Sequence, residues 1–442
     1  MRRMRSAIAA AVGMLLTATA LVAPAAPAVA ATASGTITVA PGQLITAKFK
    51  DTKLDKKRVV LLESSADGLT GWTDVTEAKM TAKGAVTFST IATNSSYYRA
   101  TAKAFNYTSK KKKVTAAAVS TPAKQVAITW QEEFSGSTLD EAKWRQRTEV
   151  GYQAKGRHCA APIAANTTVG NGSATLKVTE VKNGTAKNEI IKLAKEFQAK
   201  EAGSAYTKAL AKVNKEKAAL AKAEAKPSKT KAQKKSRDKA IKDAKKKVKS
   251  AETALSKLTP GCPNGVFENG MITAGSHTIS AGTVVARVKF PIGQGAHAGV
   301  WLQDNKTRQE IDIIESYGHG RGITNIVHRL KSGKLVKDPA QDSKGYVAAK
   351  TVKSTKWWSQ WHTVAVTFNS SKITFYLDGV KTKELAGMTG NYSLMVSLLS
   401  SDWETYRVKK PDARPGSGLK KSAVKKRSLP SVSVDWIRMW EK

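Results

Sequence analysis

The sequence predicts an all-β protein made of a jelly-roll sandwich, an inserted helical hairpin and a small N-terminal β sandwich. Short β-rich runs separated by turn signals fill residues 31–114 and return after residue 262. Residues 187–258 between them are mostly Ala, Lys and Glu, a composition typical of helices. The second set of strands shows no crossover helices, which favours antiparallel sheets packed as a sandwich.

The N-terminus has the features of a secretory signal peptide, which we assign to residues 1–30. Arginines lie within the first five residues, an apolar run follows from Ala7 to Val22, and Ala28-Val29-Ala30 provides a small-residue cleavage site. No other stretch of the sequence approaches the roughly 18 apolar residues of a membrane-spanning helix. We therefore expect a secreted, extracellular protein without a membrane span.

Residues 31–114 are predicted to form the small accessory β sandwich, because short strands recur there at close spacing. Its large residues Trp72, Phe88 and Tyr98 are expected in the core, since a domain this small needs them inside. The stretch 115–125 is rich in Ala, Thr, Ser and Pro and is interpreted as a linker to the larger domain, residues 126–442.

A Lys- and Ala-rich segment at residues 187–258 interrupts the larger domain. Apolar residues recur at steps of three and four in both halves of the segment, as in a coiled coil, and Pro227-Ser228 separates the halves. We expect an antiparallel helical hairpin inserted in a surface loop. Cys159 and Cys262 lie on either side of it, and an oxidising compartment favours a disulfide between them; two buried free thiols are the alternative.

The formal net charge of +40 suggests a polyanionic partner. Residues 187–257 contain 22 Lys and Arg against 8 Asp and Glu, and the remaining excess is spread along the chain. Single-strand nucleic-acid binders instead gather their charge in a groove with interleaved aromatic residues. We therefore expect an anionic cell-surface polymer, and no nucleic acid, as the partner of the basic hairpin; a solvated lysine surface without a ligand is the alternative.

The stretch Glu310-Ile311-Asp312-Ile313-Ile314-Glu315 carries the clearest chemical signal. Residues two apart share one face of a strand, so Glu310 and Asp312 point the same way. Glu315 is out of phase, and one extra residue bulged out near Ile313 or Ile314 would bring it to the same face. Three close carboxylates cannot all ionise freely, so one pKa should rise to supply a general acid while another stays an anion able to attack. This is the chemistry of glycoside hydrolysis; solvated acids on an exposed strand are the alternative.

Further landmarks flank the acidic strand in a characteristic order. They are the opening segment Trp130–Trp144, the strands and turn within Asn269–Gly295, Val300-Trp301-Leu302 before the acids, Trp361–Val364 with Ile373–Gly379 after them, and the closing strand Val434–Trp440. Together with the acids, they make the sequence similar to glycoside hydrolase family 16, whose laminarinases, lichenases, agarases and carrageenases share a concanavalin-like β-jelly roll. The resemblance covers about residues 126–185 and 262–442.

The resemblance implies Glu310 as nucleophile, Asp312 as the residue that orients it, and Glu315 as general acid and then base in a retaining mechanism. The two-residue spacer before Glu315 matches the bulged variant found in laminarinases, agarases and carrageenases, so a β-1,3-glucan is the first choice of substrate for an endo-acting enzyme. No cofactor is expected to be required. A non-catalytic carbohydrate-binding or wall-associated protein on the same fold is the alternative.

Candidate substrate contacts lie near the acids. Trp301 and Trp403 are candidates for stacking on a sugar face, although Trp301 could instead belong to the core. His328, one strand beyond the acids, is a candidate for contact with the substrate or with Glu315; a structural role is the alternative. The chain also departs from the family at Ala296-His297-Ala298-Gly299, where an aromatic residue and Pro are frequent.

The resemblance further implies a structural Ca²⁺ near Glu133 and Asp435, since this hard cation prefers oxygen ligands. Ion pairing at the surface is the alternative for both carboxylates.

Overall fold

The computed structural model describes residues 35–38, 44–49, 59–81, 85–91, 96–102, 118–120, 122–124, 127–148, 157–263, 265–291, 297–316, 323–337, 358, 360–400 and 429–442. The predicted signal peptide and Trp403 lie outside these ranges.

Short strands in two antiparallel sheets form the N-terminal unit. The strands are β1 (Gly35–Thr38), β2 (Leu44–Phe49), β3 (Val59–Ser65), β4 (Thr73–Lys79), β5 (Ala85–Ile91), β6 (Tyr97–Ala102), β7 (Ala118–Val119) and β8 (Ala123–Lys124). One sheet has the order β1-β2-β5, and the other has the order β4-β3-β6-β7, with β8 also paired with β6.

The core of this unit includes Phe88 and Tyr98, as the sequence predicts. The prediction for Trp72 is wrong, because this side chain is half-buried and outside the core cluster. Its ring lies 4.2 Å from the guanidinium carbon of Arg99, and its indole N–H donates to the carbonyl of Leu69 at 3.2 Å. A cation–π contact and a satisfied N–H therefore hold the indole at the surface.

The predicted linker, residues 115–125, contributes in part to the N-terminal sheet. Both β7 and β8 pair with β6. The buried hydroxyl of Ser120 accepts a hydrogen bond from the backbone N–H of Ala100 at 2.6 Å. The small unit therefore extends to at least residue 124, so the predicted boundary at residue 114 is too early.

The larger part of the described chain is a two-sheet sandwich. Its strands are β9 (Trp130–Glu132), β10 (Trp144–Gln146), β11 (Ala160–Pro162), β12 (Thr167–Gly170), β13 (Ser173–Lys177), β14 (Thr179–Glu180), β15 (Phe267–Ile279), β16 (Gly282–Lys289), β17 (His297–Asp304), β18 (Glu310–Ser316), β19 (Ile323–Lys331), β20 (Lys334–Lys337), β21 (His362–Phe368), β22 (Lys372–Leu377), β23 (Val380–Ala386), β24 (Tyr392–Leu399) and β25 (Ser431–Glu441). A single 3₁₀ turn among the described residues spans Ala164–Asn166.

The nine-stranded sheet has the order β10-β15-β24-β17-β18-β19-β20, with β11 and β14 also paired with β15. The eight-stranded sheet has the order β12-β13-β25-β16-β21-β22-β23, with β9 also paired with β25. Apolar side chains from both sheets fill the space between them, such as Ile311 and Leu394 from the first and Val364 and Phe375 from the second. The predicted class, a jelly-roll sandwich with a helical insertion and an N-terminal β unit, is confirmed.

The insertion contains three helices where the sequence predicts two. They are α1 (Thr185–Ala202), α2 (Ser204–Ala225) and α3 (Lys231–Leu258). Gly203, with φ of 51°, separates α1 from α2 and adopts a conformation that favours glycine. The predicted hairpin is formed by α2 and α3, since Lys217 pairs with Glu252 at 2.9 Å while Glu224, further along α2, pairs with the earlier Lys245 at 3.8 Å.

The base of the insertion is fastened to the sandwich at several points. The predicted disulfide between Cys159 and Cys262 is present. The side-chain amide of Gln198 in α1 makes two hydrogen bonds of 2.9 Å to the backbone of Gly261. The rings of His158 and Phe197 stack with centroids 5.6 Å apart. Thus α1 fixes the segment around residues 158–159 against the strand that follows the insertion.

Among the described residues, none of the helices has the length and apolar character needed to cross a membrane.

Candidate active site

Strand β18 carries the predicted acids on one face because it is bulged. In its pairing with β19, Asp312 lies opposite Ile326 and Glu315 lies opposite Thr324. Between these pairs β18 has two residues, Ile313-Ile314, and β19 has one. The register with β17 shifts at the same place. The bulge predicted from the spacing of the acids is therefore confirmed.

The bulge sorts the side chains of the strand. Residues 311, 313 and 314, all isoleucines, are buried in the core between the two sheets. Glu310, Asp312 and Glu315 therefore point to the other face of the nine-stranded sheet. In a regular strand Glu315 would share the core face with Ile311 and Ile313, where an unpaired charge is very costly.

A buried amide stabilises the bulge. Asn325 is the residue of β19 that faces the two bulged isoleucines, and its Nδ2 donates to the carbonyl of Ile313 at 2.5 Å. Its Oδ1 accepts from the hydroxyl of Thr382 in the opposite sheet at 2.9 Å. A bulge removes a carbonyl from the ladder, and Asn325 supplies the replacement donor. Sequence reasoning missed Asn325, although a polar residue between apolar ones in a strand is a usable signal.

Glu310 is held by two neighbouring strands. Its Oε2 accepts from Nε2 of Gln303 on β17 at 2.9 Å, and its Oε1 lies 3.2 Å from Nδ1 of His328 on β19. His328 therefore contacts Glu310, which lies directly opposite it in the sheet, and does not make the predicted contact with Glu315. Asp312 is 3% exposed, and ligand atoms of Glu310, Asp312 and His328 lie within 4.8 Å of one another. These three side chains form one cluster.

Glu315 is held separately. Its Oε1 lies 2.6 Å from Nε2 of His297, and its Oε2 accepts from the hydroxyl of Thr324 at 3.1 Å. On the far side of the imidazole, Nη2 of Arg157 lies 2.9 Å from Nδ1 of His297. Sequence reasoning missed His297 and Arg157 as site residues. The signal for His297 was its position in the stretch where the chain departs from the family.

Trp301 lies on the same face as the acids, opposite Asp312 in the sheet. It is 7% exposed and packs with Met271, Met395 and Leu399. Its indole N–H donates to the hydroxyl of Ser397 at 3.1 Å. Trp301 therefore lies beside the acids on the surface of the nine-stranded sheet, and stacking on a sugar stays a prediction. The other predicted stacking residue, Trp403, lies outside the described residues.

The two carboxylates predicted to bind Ca²⁺ are engaged by arginines. Glu133 accepts from Nε and Nη2 of Arg438, each at 2.8 Å, and Asp435 pairs with Arg287. A guanidinium in contact with each carboxylate opposes a second cation at the same oxygens, so Glu133 and Asp435 do not fit the predicted ion. Surface ion pairing, the alternative reading, describes both residues.

Another buried carboxylate, Asp304, fixes the turn that leads into the acidic strand. Asp304 ends β17, and its oxygens accept from the backbone N–H groups of Lys306, Thr307 and Asn391, each at 2.8 Å. Burial opposes ionisation of Asp304, but these hydrogen bonds outweigh it and lower the pKa of the carboxyl below its ordinary value. Because Asp304 stays ionised, it ties the β17–β18 turn to the segment before β24.

A β sandwich that presents two separately held glutamates and an aspartate on one sheet face has the acid pair that glycoside hydrolases use. Residues 227–411, which include all three acids, match the family model for glycosyl hydrolases family 16. The match confirms the resemblance that the sequence landmarks indicate, and it supports assignment as a glycoside hydrolase. Among curated proteins, none matches the chain.

The solved structures that match the chain include laminarinases. The laminarinase catalytic domain from Thermotoga maritima MSB8 is 14% identical with a TM-score of 0.43, over 71% of this chain and 98% of that one. The endo-β-1,3-glucanase from Pyrococcus furiosus is 16% identical with a TM-score of 0.42, over 71% and 94%. LamAcat from Zobellia galactanivorans is 10% identical with a TM-score of 0.41, over 71% and 97%.

Proposed function

We propose that the protein is a secreted, retaining endo-glycosidase that hydrolyses β-glucan with β-1,3 linkages. The observation that carries the proposal is the bulge at Ile313-Ile314, which puts Glu310 and Glu315 on one face of the sheet despite their odd spacing. Retaining glycosidases need one carboxylate to attack and a second to transfer protons. The extracellular location rests on the signal-peptide features of residues 1–30.

The surroundings of the two glutamates suit these two roles. In the first step an oxygen of Glu310 bonds to the anomeric carbon, while Glu315 gives its proton to the departing glycosidic oxygen, which keeps the electron pair of the broken bond. In the second step Glu315 takes a proton from water, and the resulting hydroxide displaces Glu310. Gln303 and His328 hold the Glu310 carboxylate in place for attack, with contacts of 2.9 and 3.2 Å.

The choice of substrate rests on the spacing of the acids. Two residues separate Asp312 from Glu315, as in the bulged family variant to which laminarinases belong. Agarases and carrageenases share this spacing, so the linkage is the finer part of the proposal. Reducing ends released from laminarin, lichenan, agarose and carrageenan would rank the four polysaccharides, and we expect laminarin to be first.

The nucleophile assignment is tested with Glu310→Gln. This variant should keep the wild-type unfolding temperature and lose at least about 10³-fold in kcat on laminarin, since it removes the attacking group. Glu384→Gln, on the eight-stranded sheet away from the acids, is the matched control and should keep full activity. Wild-type activity in Glu310→Gln would refute the assignment. Wild-type protein that binds laminarin without cleaving it would support the non-catalytic alternative.

A further inference from the structure

The general acid of the proposed mechanism is the end of a chain of three polar side chains. Arg157 contacts His297 at 2.9 Å, and His297 contacts Glu315 at 2.6 Å. The side chains of His297 and Glu315 are only 12% and 11% exposed. Because little water reaches the pair, their contact is not replaced easily by hydration.

The chemistry of arginine fixes the proton on the imidazole. A guanidinium has N–H donors and no acceptor, so Nδ1 of His297 must accept from Arg157. A ring whose Nδ1 accepts carries its proton on Nε2. That N–H faces Oε1 of Glu315 and donates to it. The direction of the whole chain is therefore from Arg157 through His297 to Glu315.

We propose that His297 is a positioning residue that directs proton transfer by Glu315 to a single oxygen. Oε1 faces an N–H donor, so the proton of the neutral acid belongs on Oε2, beside the hydroxyl of Thr324. From Oε2 the proton passes to the glycosidic oxygen as the glycosidic bond breaks, and the electron pair of the O–H bond stays on Glu315. His297 keeps its own proton throughout. The inference rests on the proposed function.

Gly299 leaves room for this arrangement. It lies directly opposite Glu315 in the sheet, between His297 and Trp301 on the same strand face. A Cβ at this position would lie 3.2 Å from Cδ1 of Trp301. The absence of a side chain here lets the imidazole and the indole flank the acid from the two sides.

The base of the helical insertion supports the far end of the chain. Arg157 directly precedes His158 and Cys159, which are fixed by the stack on Phe197 and by the disulfide to Cys262. These contacts limit where the Arg157 backbone can lie. The insertion thereby supports a residue that acts on the catalytic acid, in addition to whatever its exposed lysines bind.

The test compares two substrates that need the general acid to different degrees. Laminarin has a poor leaving group, whereas a 2,4-dinitrophenyl β-laminaribioside has a leaving group that departs without protonation. His297→Ala should lower kcat/KM on laminarin by about 10- to 100-fold, a part of what general acid catalysis contributes. On the aryl glycoside, kcat/KM reports only glycosylation and should change by less than about threefold.

Two further variants separate positioning from folding. His362→Ala removes another buried histidine with a carboxylate partner, Asp378 at 2.8 Å, on the eight-stranded sheet. This variant should lower stability, and any loss of kcat/KM should be the same on laminarin and on the aryl glycoside. Arg157→Met keeps His297 but removes the donor that fixes its proton on Nε2. It should therefore show the same dependence on the leaving group as His297→Ala, with a smaller loss of kcat/KM on laminarin. If His297→Ala does not fold, Arg157→Met alone still tests the positioning role.

The outcomes are distinguishable. In a Glu315→Gln background, His297→Ala should have no further effect on laminarin hydrolysis, because it acts through the acid that is already lost. Equal losses on both substrates for His297→Ala and Arg157→Met would overturn the positioning role and leave the glucanase proposal intact. Wild-type protein inactive on both substrates would instead overturn the proposed function.

Discussion

Asn325→Leu tests whether the bulge that brings Glu315 to the face of Glu310 depends on a buried amide. Leucine has nearly the shape of asparagine, so packing is kept while both hydrogen bonds of the side chain are lost. The carbonyl of Ile313 then loses its donor at 2.5 Å, and the hydroxyl of Thr382 loses its acceptor at 2.9 Å.

The expected cost follows from these two contacts. A buried carbonyl left without a partner costs about 1–3 kcal/mol, and a lost neutral hydrogen bond costs about 1 kcal/mol. We therefore expect a loss of about 2–4 kcal/mol in the free energy of unfolding. For a domain of this size each kcal/mol lowers Tm by about 2–4 °C, so the unfolding transition should fall by about 4–16 °C.

Two measurements check the prediction. Thermal unfolding gives the stability. The effect on the site is given by kcat on laminarin, measured well below the unfolding temperatures of wild type and variant. Thr382→Val is the matched control, because it removes the same hydroxyl partner and keeps the bond to Ile313; its loss should be about 1 kcal/mol with kcat unchanged. If Asn325→Leu is as active as wild type at a temperature where it is folded, strand pairing alone holds the bulge and the reasoning is refuted.

Two other predictions concern stability against pH and the basic hairpin. Asp304→Asn should destabilise the protein by about 1–3 kcal/mol near neutral pH. Because the pKa of Asp304 is lowered by folding, its stabilisation is present above the ordinary aspartate pKa of about 4 and is lost as pH falls through the lowered value, so the Tm difference from wild type should narrow in acid. An unchanged difference down to pH 2 would contradict this, and Asp243→Asn on the exposed face of α3 is the control. Replacing the lysines along one side of α3 with Gln should lower the salt concentration at which heparin–agarose releases the protein, without changing kcat on laminarin; unchanged release would remove the hairpin as the anionic-polymer site. These lysines are Lys242, Lys245, Lys246 and Lys249.

The site elements that the sequence could predict are those that depend on local periodicity. The alternation of Glu310 and Asp312 with isoleucine fixes their common face, and the phase slip before Glu315 requires a bulge. Both follow from the two-residue period of a strand, which needs no knowledge of the rest of the chain. The disulfide could also be predicted, since the sequence has only two cysteines to pair.

The partners of the acids could not be predicted in the same way. Arg157 lies 140 residues before His297 in the sequence, and Asn325 lies 57 residues before Thr382. Their contacts depend on how two sheets and an insertion pack, which local periodicity does not report. The same limitation explains two wrong predictions, the number of helices in the insertion and the boundary of the N-terminal unit. Gly203 divides a segment with continuous helical composition, and residues of the expected linker pair with β6.

The insertion has two parts with different relations to the site. Helices α2 and α3 are joined to each other by ion pairs such as that of Lys217 with Glu252. By contrast, α1 buries Ile190 against Ala161 and Val266 of the sandwich. A change in the outer hairpin should therefore alter binding to anions and leave catalysis unchanged. A change at the base should affect proton transfer by Glu315, because α1 and the disulfide fix the segment that carries Arg157.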